Sequence, residues 1–299
     1  MLEHLVIVPQ GGLCNRLRAL ASARRLAEMA GARCTVAWQW GEYPAQFDDD
    51  TDWWPYRPAR DQNPDEFLPG YHHIRHVGHD RGGNARNRRL SLTAHPRVVV
   101  YSNYVFGALG EAQLVGQESQ VFAWFPRLHP AIRAKVDAFR QAHFPERIVG
   151  LHMRRADNRP AQLRSPDRAY WKEANRLVRQ RYRLFLATDH AATLRAMQQR
   201  YGSALLHNPK GAPWEKRWPR SESTNEDVAD DLIDLYLLGA CNFVVGSSWS
   251  SYSRVAILLN GSPRCKVIDW QAPRVRYGLE SLWRRARRKW RDWSARARG

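Results

Sequence analysis

The chain has 299 residues, of which 43% are hydrophobic and 25% are charged. This composition is typical of a soluble globular protein rather than a disordered one, and the length suits two domains of roughly 130 residues each. No apolar run approaches the roughly 18 residues of a transmembrane helix, so the sequence predicts a cytoplasmic protein. The formal net charge of +18 leaves nucleic acid, an anionic membrane surface and acidic substrates as partner classes.

The first half of the chain begins with a short apolar strand at 5–8 that runs into a polar turn. The turn carries two glycines, an asparagine and an arginine: Gly11, Gly12, Asn15 and Arg16. Glycines let a ligand approach the backbone closely. Helical spacing follows from 17 to 30, where Gly31 ends the helix. Further strands are predicted at 34–38 and 97–101, with an irregular stretch at 41–89.

Four histidines lie close together in this irregular stretch, from His72 to His79. Four imidazoles could chelate a metal ion, but no Cys, Asp or Glu is spaced to complete a site, and arginines at 81–89 repel a cation. A polar loop is therefore the favoured interpretation. The acidic run 48–50 is interpreted as solvated, so we predict no metal site.

In the second half, an apolar strand at 149–153 runs out into Arg154 and Arg155, followed by Asp157. A guanidinium at the carboxyl end of a strand in an open α/β sheet matches a phosphate bidentately. Neighbours on extended backbone point to opposite faces, so one arginine is expected to meet the ligand while the other supports the loop, with Asp157 as a partner. The alternative is a surface cluster without a ligand.

Two more segments repeat the order of strand, polar turn and helix. The strand at 183–187 ends in Asp189 before a helix at 191–201. The strand at 242–246 is followed by a helix at 255–259, and the turn between them is rich in serine: Ser247, Ser248, Ser250 and Ser251. Hydroxyls and unpaired N–H groups at a helix start form an anion site, although serines there are also ordinary helix caps.

Together these motifs resemble the GDP-fucose-dependent fucosyltransferase superfamily, which includes nodulation, core α1,6- and protein O-fucosyltransferases. The resemblance rests on Gly-Gly-Leu-x-Asn-Arg at 11–16, His-x-Arg-Arg-x-Asp at 152–157, Ala-Thr-Asp at 187–189, and the pattern of Asp234 to Arg254. Residues 40–130 match nothing recognisable. The resemblance implies an α/β protein of the GT-B fold, with two Rossmann-like domains facing across a cleft, and an inverting transfer that needs no metal.

The same resemblance assigns roles to single residues. Arg154 matches a β-phosphate contact, and Asn15 matches a position near the sugar and that phosphate; these two are the candidate catalytic residues. Trp249 stands where the core α1,6 enzymes have a further serine, whose contact then falls to Ser247, Ser248 or Ser251. The remaining assignments are Gly11, Gly12 and Arg16 in the nucleotide-binding turn, His152 and Asp234 at the guanosine, Ser250 at the diphosphate, Asp189 at the base or ribose, and Arg155 and Asp157 in support.

Elementary chemistry agrees with these roles. Negative charge grows on the diphosphate as it leaves, so fixed donors aimed at it lower the barrier. A carboxylate can accept both the N1–H and the exocyclic amine of guanine, and Asp234 lies inside a predicted helix at 226–238. Asp230 and Asp231 beside it are equally explained as ion-paired helix residues. The catalytic base is left open among five acidic residues of the first half: Glu42, Asp52, Asp61, Asp65 and Glu66.

We divide the chain into an acceptor-side domain at 1–130, a GDP-sugar-binding domain at 131–270 and a basic, Trp-rich helix at 271–299. Cations and tryptophans at 282–293 predict either contact with anionic lipid at the inner membrane face or packing on the first domain. The loop 210–224 either folds over the nucleotide or is a mobile surface loop. Four cysteines without C-x-x-C spacing fit a reducing compartment and a bacterial enzyme.

The sequence therefore predicts transfer of fucose from GDP-fucose to a hydroxyl of a bacterial oligosaccharide, a lipopolysaccharide or a lipid-linked glycan, with no cofactor. The alternatives are a transferase that uses another GDP-sugar and a non-catalytic glycan-binding relative. Nucleic-acid binding is disfavoured because charge alone supports it, without zinc spacing or an RNA-binding aromatic signature.

Overall fold

The computed structural model describes residues 1–39, 46–48, 52–56, 68–76, 95–103, 124–156, 158–210 and 225–270. Within them the chain forms two five-stranded sheets in which every strand pairing is parallel. Asp157, the loop 211–224 and the Trp-rich segment 271–299 lie outside the described residues, as do Glu42, Asp61, Asp65 and Glu66. No helix of the described residues is both long enough and apolar enough to cross a membrane.

The first sheet has the strand order β3-β2-β1-β5-β4. Its elements along the chain are β1 (His4–Pro9), α1 (Leu13–Ala30), β2 (Arg33–Gln39), β3 (Asp52–Tyr56), β4 (His72–His76) and β5 (Arg97–Ser102). β1 lies in the middle, with His4 opposite Arg33 on one side and Arg97 on the other. All six residues of β1 are buried, which explains its almost continuous apolar sequence.

The second sheet has the order β10-β9-β6-β7-β8 and follows the helix α2 (Pro130–His143). Its elements are β6 (Ile148–Met153), α3 (Arg159–Arg164), α4 (Asp167–Arg179), β7 (Arg183–Thr188), α5 (Ala191–Tyr201), a 3₁₀ turn (Gly202–Ala204), β8 (Leu205–Leu206), α6 (Asn225–Ala240), β9 (Phe243–Ser247), α7 (Ser251–Asn260) and β10 (Lys266–Ile268). β6 is the central strand and is fully buried.

The structure corrects the expectation that 41–89 is irregular, because β3 and β4 lie within this stretch. Both are edge strands, where Pro55 and a row of histidines are tolerated and no continuous apolar run is required. The histidine cluster accordingly begins as a strand rather than a polar loop. The strands and helices expected elsewhere are present with shifted ends; α1, for example, begins at Leu13, directly after its N-cap Gly12.

Two glycines, which have no side chain, let helices approach the second sheet closely. A Cβ on Gly150 of β6 would lie 2.9 Å from Leu238 Cδ2 of α6, and one on Gly246 of β9 would lie 2.6 Å from Ser253 Cβ of α7. Gly150 thus lets α6 approach β6, and Gly246 lets the first turn of α7 approach the end of β9. The hydrophobic cluster beneath α6 and α7 continues without a break to β1, β5 and α1, so the two sheets share one core.

Candidate active site

The candidate site lies where the chain order of the second sheet reverses. β6 has β7 on one side and β9 on the other, so the segments that follow β6 and β9 diverge at the carboxyl edge. Such a switch point is where open parallel sheets bind ligands. Arg154 follows β6 here, and the serine-rich turn follows β9.

Arg154 is held at this edge by two contacts. Its backbone N–H donates to Ser247 Oγ at 3.0 Å, and its Nη1 lies 2.6 Å from Asp189 Oδ2. The side chain keeps 16% of its surface exposed, so the guanidinium is partly buried but reachable. A planar guanidinium fixed at one edge can present its remaining N–H groups to an anion in a defined direction.

Asp189 has several partners in the loop that carries Arg154 and Arg155. Besides Arg154, its carboxylate accepts hydrogen bonds from the backbone N–H groups of Arg155 at 2.6 Å and Ala156 at 3.2 Å. Both oxygens therefore have protein partners. The carboxylate thus orients Arg154 and closes the loop, and the expected contact of Asp189 with the base or ribose stays a prediction.

The side chain of Arg155 points into the protein. Its Nε donates to Asp167 at 2.5 Å, its Nη1 to Arg154 O at 2.9 Å and its Nη2 to Ser165 O at 2.7 Å. The guanidinium also lies over the Tyr170 ring. Asp167, at the first residue of α4, pairs with Arg155 where the sequence analysis named Asp157; no short-range spacing marks this pair.

Ser247 and Ser248 are buried and hydrogen-bonded within the protein, and their expected contact with the diphosphate stays a prediction. Ser247 Oγ donates to His152 O and lies 2.8 Å from Tyr170 Oη, while the backbone N–H of Ser248 donates to Ser165 Oγ. These bonds tie the end of β9 to β6 and α3. Both hydroxyls therefore have protein partners: His152 O for Ser247 and Asp269 Oδ2 for Ser248.

The first turn of α7 is the part of this segment that faces outward. Ser250 is its N-cap, and its Oγ accepts from Ser253 N at 3.3 Å. Ser250 and Ser251 are half-buried, and the N–H groups of a first helical turn have no partner inside the helix. With the helix dipole, they favour an anion beside Arg154. Trp249 precedes them with φ of +56° and an exposed side chain.

His152 is buried beneath this turn. Its Nδ1 lies 2.6 Å from Ser253 Oγ, and its ring stacks on Tyr252 with 4.6 Å between centroids. Burial, reinforced by the positive charges of Arg154 and Arg155, lowers the pKa of His152 to about 3. The imidazole is thus neutral at physiological pH and acts as a hydrogen-bonding group rather than a cation.

Asp234 lies on α6 beyond this ring and is almost fully buried. Lys210 Nζ lies 2.7 Å from Asp234 Oδ2. Burial raises the pKa of Asp234, against the opposing effect of Lys210. The side chain of Asn208 also acts on Asp234 as a hydrogen-bond donor, which opposes the effect of burial. The sequence analysis missed Lys210, which only the tertiary fold brings to α6.

The carboxyl edge of the first sheet holds the glycine turn. Gly11 has φ of +79°, and a Cβ there would lie 3.0 Å from Asn15 Nδ2 and 3.6 Å from Asn103 Cβ. Asn15 is half-buried and Gly12 is the N-cap of α1. Gly11, Asn15 and Asn103 therefore meet at the switch point between β1 and β5, and Asn103 was not identified from the sequence.

Arg16 does not face this edge. Its side chain is fully buried, donates from Nε to Gly11 O at 2.7 Å and lies over the Trp38 ring. The guanidinium holds the turn from inside, and the expected role of Arg16 in the nucleotide-binding turn stays a prediction. Asp52, one of the five candidate bases, begins β3 at the opposite edge and accepts from Thr35 Oγ1.

The described residues contain no group of three or more His, Cys, Asp or Glu side chains that could hold a metal ion. Their site is instead built from guanidinium, hydroxyl and backbone N–H donors on one sheet and from glycine and amide groups on the other. The donors on the second sheet suit an anion.

Comparison with solved structures identifies the class of fold. The crystal structure of fucosyltransferase NodZ from Bradyrhizobium matches with a TM-score of 0.56 and 19% identity, covering 92% of this chain and 97% of that chain. An Arabidopsis thaliana FUT1 variant in complex with GDP matches with a TM-score of 0.58 and 14% identity, over 89% and 70% of the two chains. POFUT1 in complex with GDP gives 0.52 and 11%, over 89% and 98%.

The chain thus has the fold of these fucosyltransferases, and the predicted fold class, α/β of the GT-B type with Rossmann-like parallel sheets, is confirmed. NodZ has also been crystallised as an α-1,6-fucosyltransferase soaked with GDP-fucose, at 20% identity and a TM-score of 0.57. No protein-family model and no curated protein matches the sequence. The division into two domains near residue 130 stays a prediction.

Proposed function

We propose that the protein is a glycosyltransferase that moves fucose from GDP-fucose to a hydroxyl of a glycan acceptor, with inversion and without a metal. The observation that carries this proposal is the pairing of Arg154, oriented by Asp189, with the first turn of α7 at the switch point of the second sheet. The shared fold supports it, because NodZ, FUT1 and POFUT1 are fucosyltransferases crystallised with GDP or GDP-fucose.

The reaction breaks the bond between the anomeric carbon and the β-phosphate oxygen, while the acceptor oxygen forms a bond to the same carbon. Charge develops on the departing GDP, so donors that are already in place stabilise the transition state more than the ground state. Arg154 and the N–H groups at the start of α7 supply such donors. We assign them the electrostatic role that a divalent metal has in other nucleotide-sugar enzymes.

The remaining assignments are part of the same proposal. Asn15 and the Gly11–Gly12 turn, on the facing sheet, are assigned to the fucose and its β-phosphate. Asp234 and His152 are assigned to the guanosine, and Ser250 and Ser251 to the diphosphate. Arg155 supports the loop. A base in the first half of the chain accepts the proton of the acceptor hydroxyl.

We assign the acceptor to a bacterial oligosaccharide, a lipopolysaccharide or a lipid-linked glycan. The basic, Trp-bearing segment 282–293 suits a peripheral contact with anionic lipid at the inner membrane face. Co-sedimentation with phosphatidylglycerol vesicles, compared with phosphatidylcholine vesicles, tests that placement. Equal sedimentation with both would contradict it.

Nucleotide binding is tested by thermal melting. GDP and GDP-fucose are expected to raise the melting temperature, because a ligand at about 100 times its Kd stabilises the native state by about 2.7 kcal/mol. UDP and UDP-glucose serve as matched controls and are expected to have no effect. Equal stabilisation by UDP-glucose would refute the guanosine assignment, and GDP-mannose in place of GDP-fucose tests the sugar.

Metal independence is tested by release of GDP from GDP-fucose in the presence of EDTA. We expect turnover to survive chelation, because Arg154 and the start of α7 carry the charge of the leaving group. A reaction that EDTA stops and Mn²⁺ restores would show that the site needs a divalent ion.

A further inference from the structure

Two exposed tryptophans contact the same arginine at the carboxyl edge of the second sheet. Trp249 is 52% exposed and Trp270 is 55% exposed. The guanidinium of Arg164 lies over the Trp249 ring, and its backbone carbonyl accepts a hydrogen bond from the backbone N–H of Trp270 at 2.6 Å. A second guanidinium, that of Arg168, lies 4.1 Å from the centre of the Trp270 ring. Each indole is thus paired with an arginine on one continuous surface.

The helix α3 adds an apolar and a charged side chain to this surface. Leu163, the neighbour of Arg164, is 59% exposed. Arg159 is also exposed and lies four residues before Leu163, so the two share one face of the helix. Neither Arg159 nor Arg168 has a carboxylate partner among the described residues. We call the set the Arg–Trp surface: Arg159, Leu163, Arg164, Arg168, Trp249 and Trp270.

The backbone at Trp249 indicates that this surface has a function. Its φ is +56°, a left-handed conformation that a bulky side chain rarely adopts. Asn158 Nδ2 donates to Trp249 O at 2.9 Å and holds the residue there. Strained backbone concentrates at functional sites. A single exposed tryptophan needs no explanation, whereas a group of exposed apolar side chains bordered by charge is typical of an interaction surface.

We propose that the Arg–Trp surface binds a membrane that contains anionic lipid. Indole rings favour the headgroup level of a bilayer, where the apolar body and the N–H group both find partners. A leucine beside them inserts at the boundary of the acyl chains. Guanidinium groups bind lipid phosphates bidentately. The inference does not depend on sugar transfer, and it extends the proposed lipid contact of 282–293 to the folded part of the chain.

The side chains of this surface favour lipid over a glycan. Sugar hydroxyls both donate and accept hydrogen bonds, whereas a guanidinium only donates and Leu163 does neither. Asp269, the residue before Trp270, is an acceptor, but its Oδ2 contacts Arg164 at 3.4 Å and Ser248 Oγ at 3.3 Å. A surface of cationic donors and apolar groups is therefore complementary to phosphate headgroups above acyl chains.

The position of the surface suits an acceptor that is attached to lipid. Trp249 directly precedes Ser250, the N-cap of α7 at the candidate site. The basic segment 271–299 follows Trp270 in the chain, and like charge disfavours its packing on the arginines of the surface. Segment and surface can instead bind the same anionic partner. A membrane bound here lies beside the edge of the sheet where Arg154 ends β6.

Vesicle binding by the full chain tests the inference. Vesicles of phosphatidylglycerol and phosphatidylcholine are compared with vesicles of phosphatidylcholine alone. Arg159→Gln/Arg168→Gln is expected to weaken binding to the anionic vesicles by roughly 10-fold to 30-fold, because each cation near such a surface contributes about 5-fold. Leu163→Ala/Trp270→Ala is expected to weaken it by at least about 10-fold through lost apolar burial. Both variants change exposed side chains and should melt like the wild type.

The matched controls lie towards the amino ends of the strands, at the opposite edges of the sheets. Met29, 62% exposed at the end of α1, is the apolar control as Met29→Ala. Arg147 and Arg264 are exposed, precede β6 and β10, and lie over the Tyr182 ring. Arg147→Gln/Arg264→Gln therefore removes the same charge from another arginine–aromatic cluster. Both controls are expected to bind vesicles like the wild type.

A further variant separates the Arg–Trp surface from the proposed contact at 282–293. It replaces four arginines of that segment: Arg284→Gln/Arg285→Gln/Arg287→Gln/Arg288→Gln. The two variants of the Arg–Trp surface are expected to weaken binding in this background too, because the surface and the segment contribute separately.

The outcomes distinguish this inference from the proposed function. Wild-type protein that binds both kinds of vesicle equally overturns the proposed contact of 282–293 and this inference together. Variants of the Arg–Trp surface that bind anionic vesicles like the wild type, or controls that lose as much binding as they do, overturn this inference alone. If the same variants keep vesicle binding but raise the KM for a soluble glycan acceptor, the surface binds a glycan and the inference is wrong.

Discussion

The two switch points of the molecule are built on the same plan and differ in chemistry. At the carboxyl edge of the second sheet, Arg154, Asp189 and Ser247 form a charged network in which nearly every polar atom has a partner. At the same edge of the first sheet, the groups that meet are neutral: the Gly11 turn and the amides of Asn15 and Asn103.

This difference suggests separate roles for the two edges in a transferase. A rigid, charged edge can stabilise developing negative charge without reorganising, which suits a leaving diphosphate. A small, neutral edge lets the backbone approach a ring closely, which suits a sugar. We therefore expect substitutions at the second edge to change the rate of chemistry, and substitutions at the first edge to change the fit of the substrate.

The largest expected effect is that of Arg154→Lys. Lysine keeps the charge beside Asp189 but loses the planar fork that presents two N–H groups to a phosphate. Release of GDP from GDP-fucose is expected to slow by about 100-fold to 1000-fold, with the melting temperature almost unchanged. Steady-state kinetics at saturating donor measure this. Wild-type turnover in this variant would place the diphosphate elsewhere.

Arg155→Lys is the matched substitution one residue along the same loop. Its guanidinium donates to Asp167, to Arg154 O and to Ser165 O, and lysine cannot make all three bonds. Two carbonyl groups lose a charged donor, so we expect a loss of about 3 kcal/mol in unfolding free energy, read from denaturant titration. Turnover in the folded fraction should change little. An inactive but fully stable variant would reverse the roles of the two arginines.

His152 gives the second edge a sensitivity to acid. The pKa of this group is about 3 in the folded protein and 6.5 when unperturbed, so between these values the unfolded chain takes up a proton that the folded chain refuses. Stability should fall by about 1.4 kcal/mol per pH unit as the pH drops below about 6.5. Above that pH the group contributes no pH dependence.

The variant His152→Gln removes this titration. Between pH 6.5 and pH 5 the wild-type protein is expected to lose roughly 2 kcal/mol more unfolding free energy than the variant. Denaturant titrations of both proteins at the two pH values measure the difference. Parallel losses would mean that His152 also takes up a proton in the folded protein in this range.

The smallest expected effect lies at the first edge. Gly11→Ala places a Cβ 3.0 Å from Asn15 Nδ2 on backbone with φ of +79°, and left-handed backbone costs an alanine about 1 kcal/mol. Gly31→Ala, with φ of +63° and nothing within 4 Å, is the control for the backbone cost alone. Both variants should melt lower, and only Gly11→Ala should raise the KM for GDP-fucose. Equal KM values would remove Asn15 from the sugar site.

The central strands could be predicted from the sequence, whereas the edge strands could not. β1, β6 and β9 are buried on both faces, which forces apolar runs, whereas β3 and β4 carry proline and histidine at sheet edges. In the candidate site, the ends of apolar strands located Arg154 and the serine turn. They did not reveal which polar groups face inward, as Ser247 and Arg16 do, because their partners are set by tertiary packing.

Contacts between residues far apart in the chain could not be predicted from the spacing of residues in the sequence. Ser253 lies 101 positions from His152, which it contacts, and Lys210 belongs to a different element from Asp234. Asp189 was recognised as part of the site, but its hydrogen bonds to the backbone of Arg155 and Ala156 depend on how the loop turns.

The shared core beneath the two sheets has a consequence for motion. α1 packs against α7, and one apolar cluster runs from β1 and β5 to α6 and α7. A hinge motion between the two sheets would therefore have to break apolar contacts that are packed like a protein interior. Rigid-body closure is therefore costly in this chain. Any change in the separation of the two edges would have to disrupt this apolar packing.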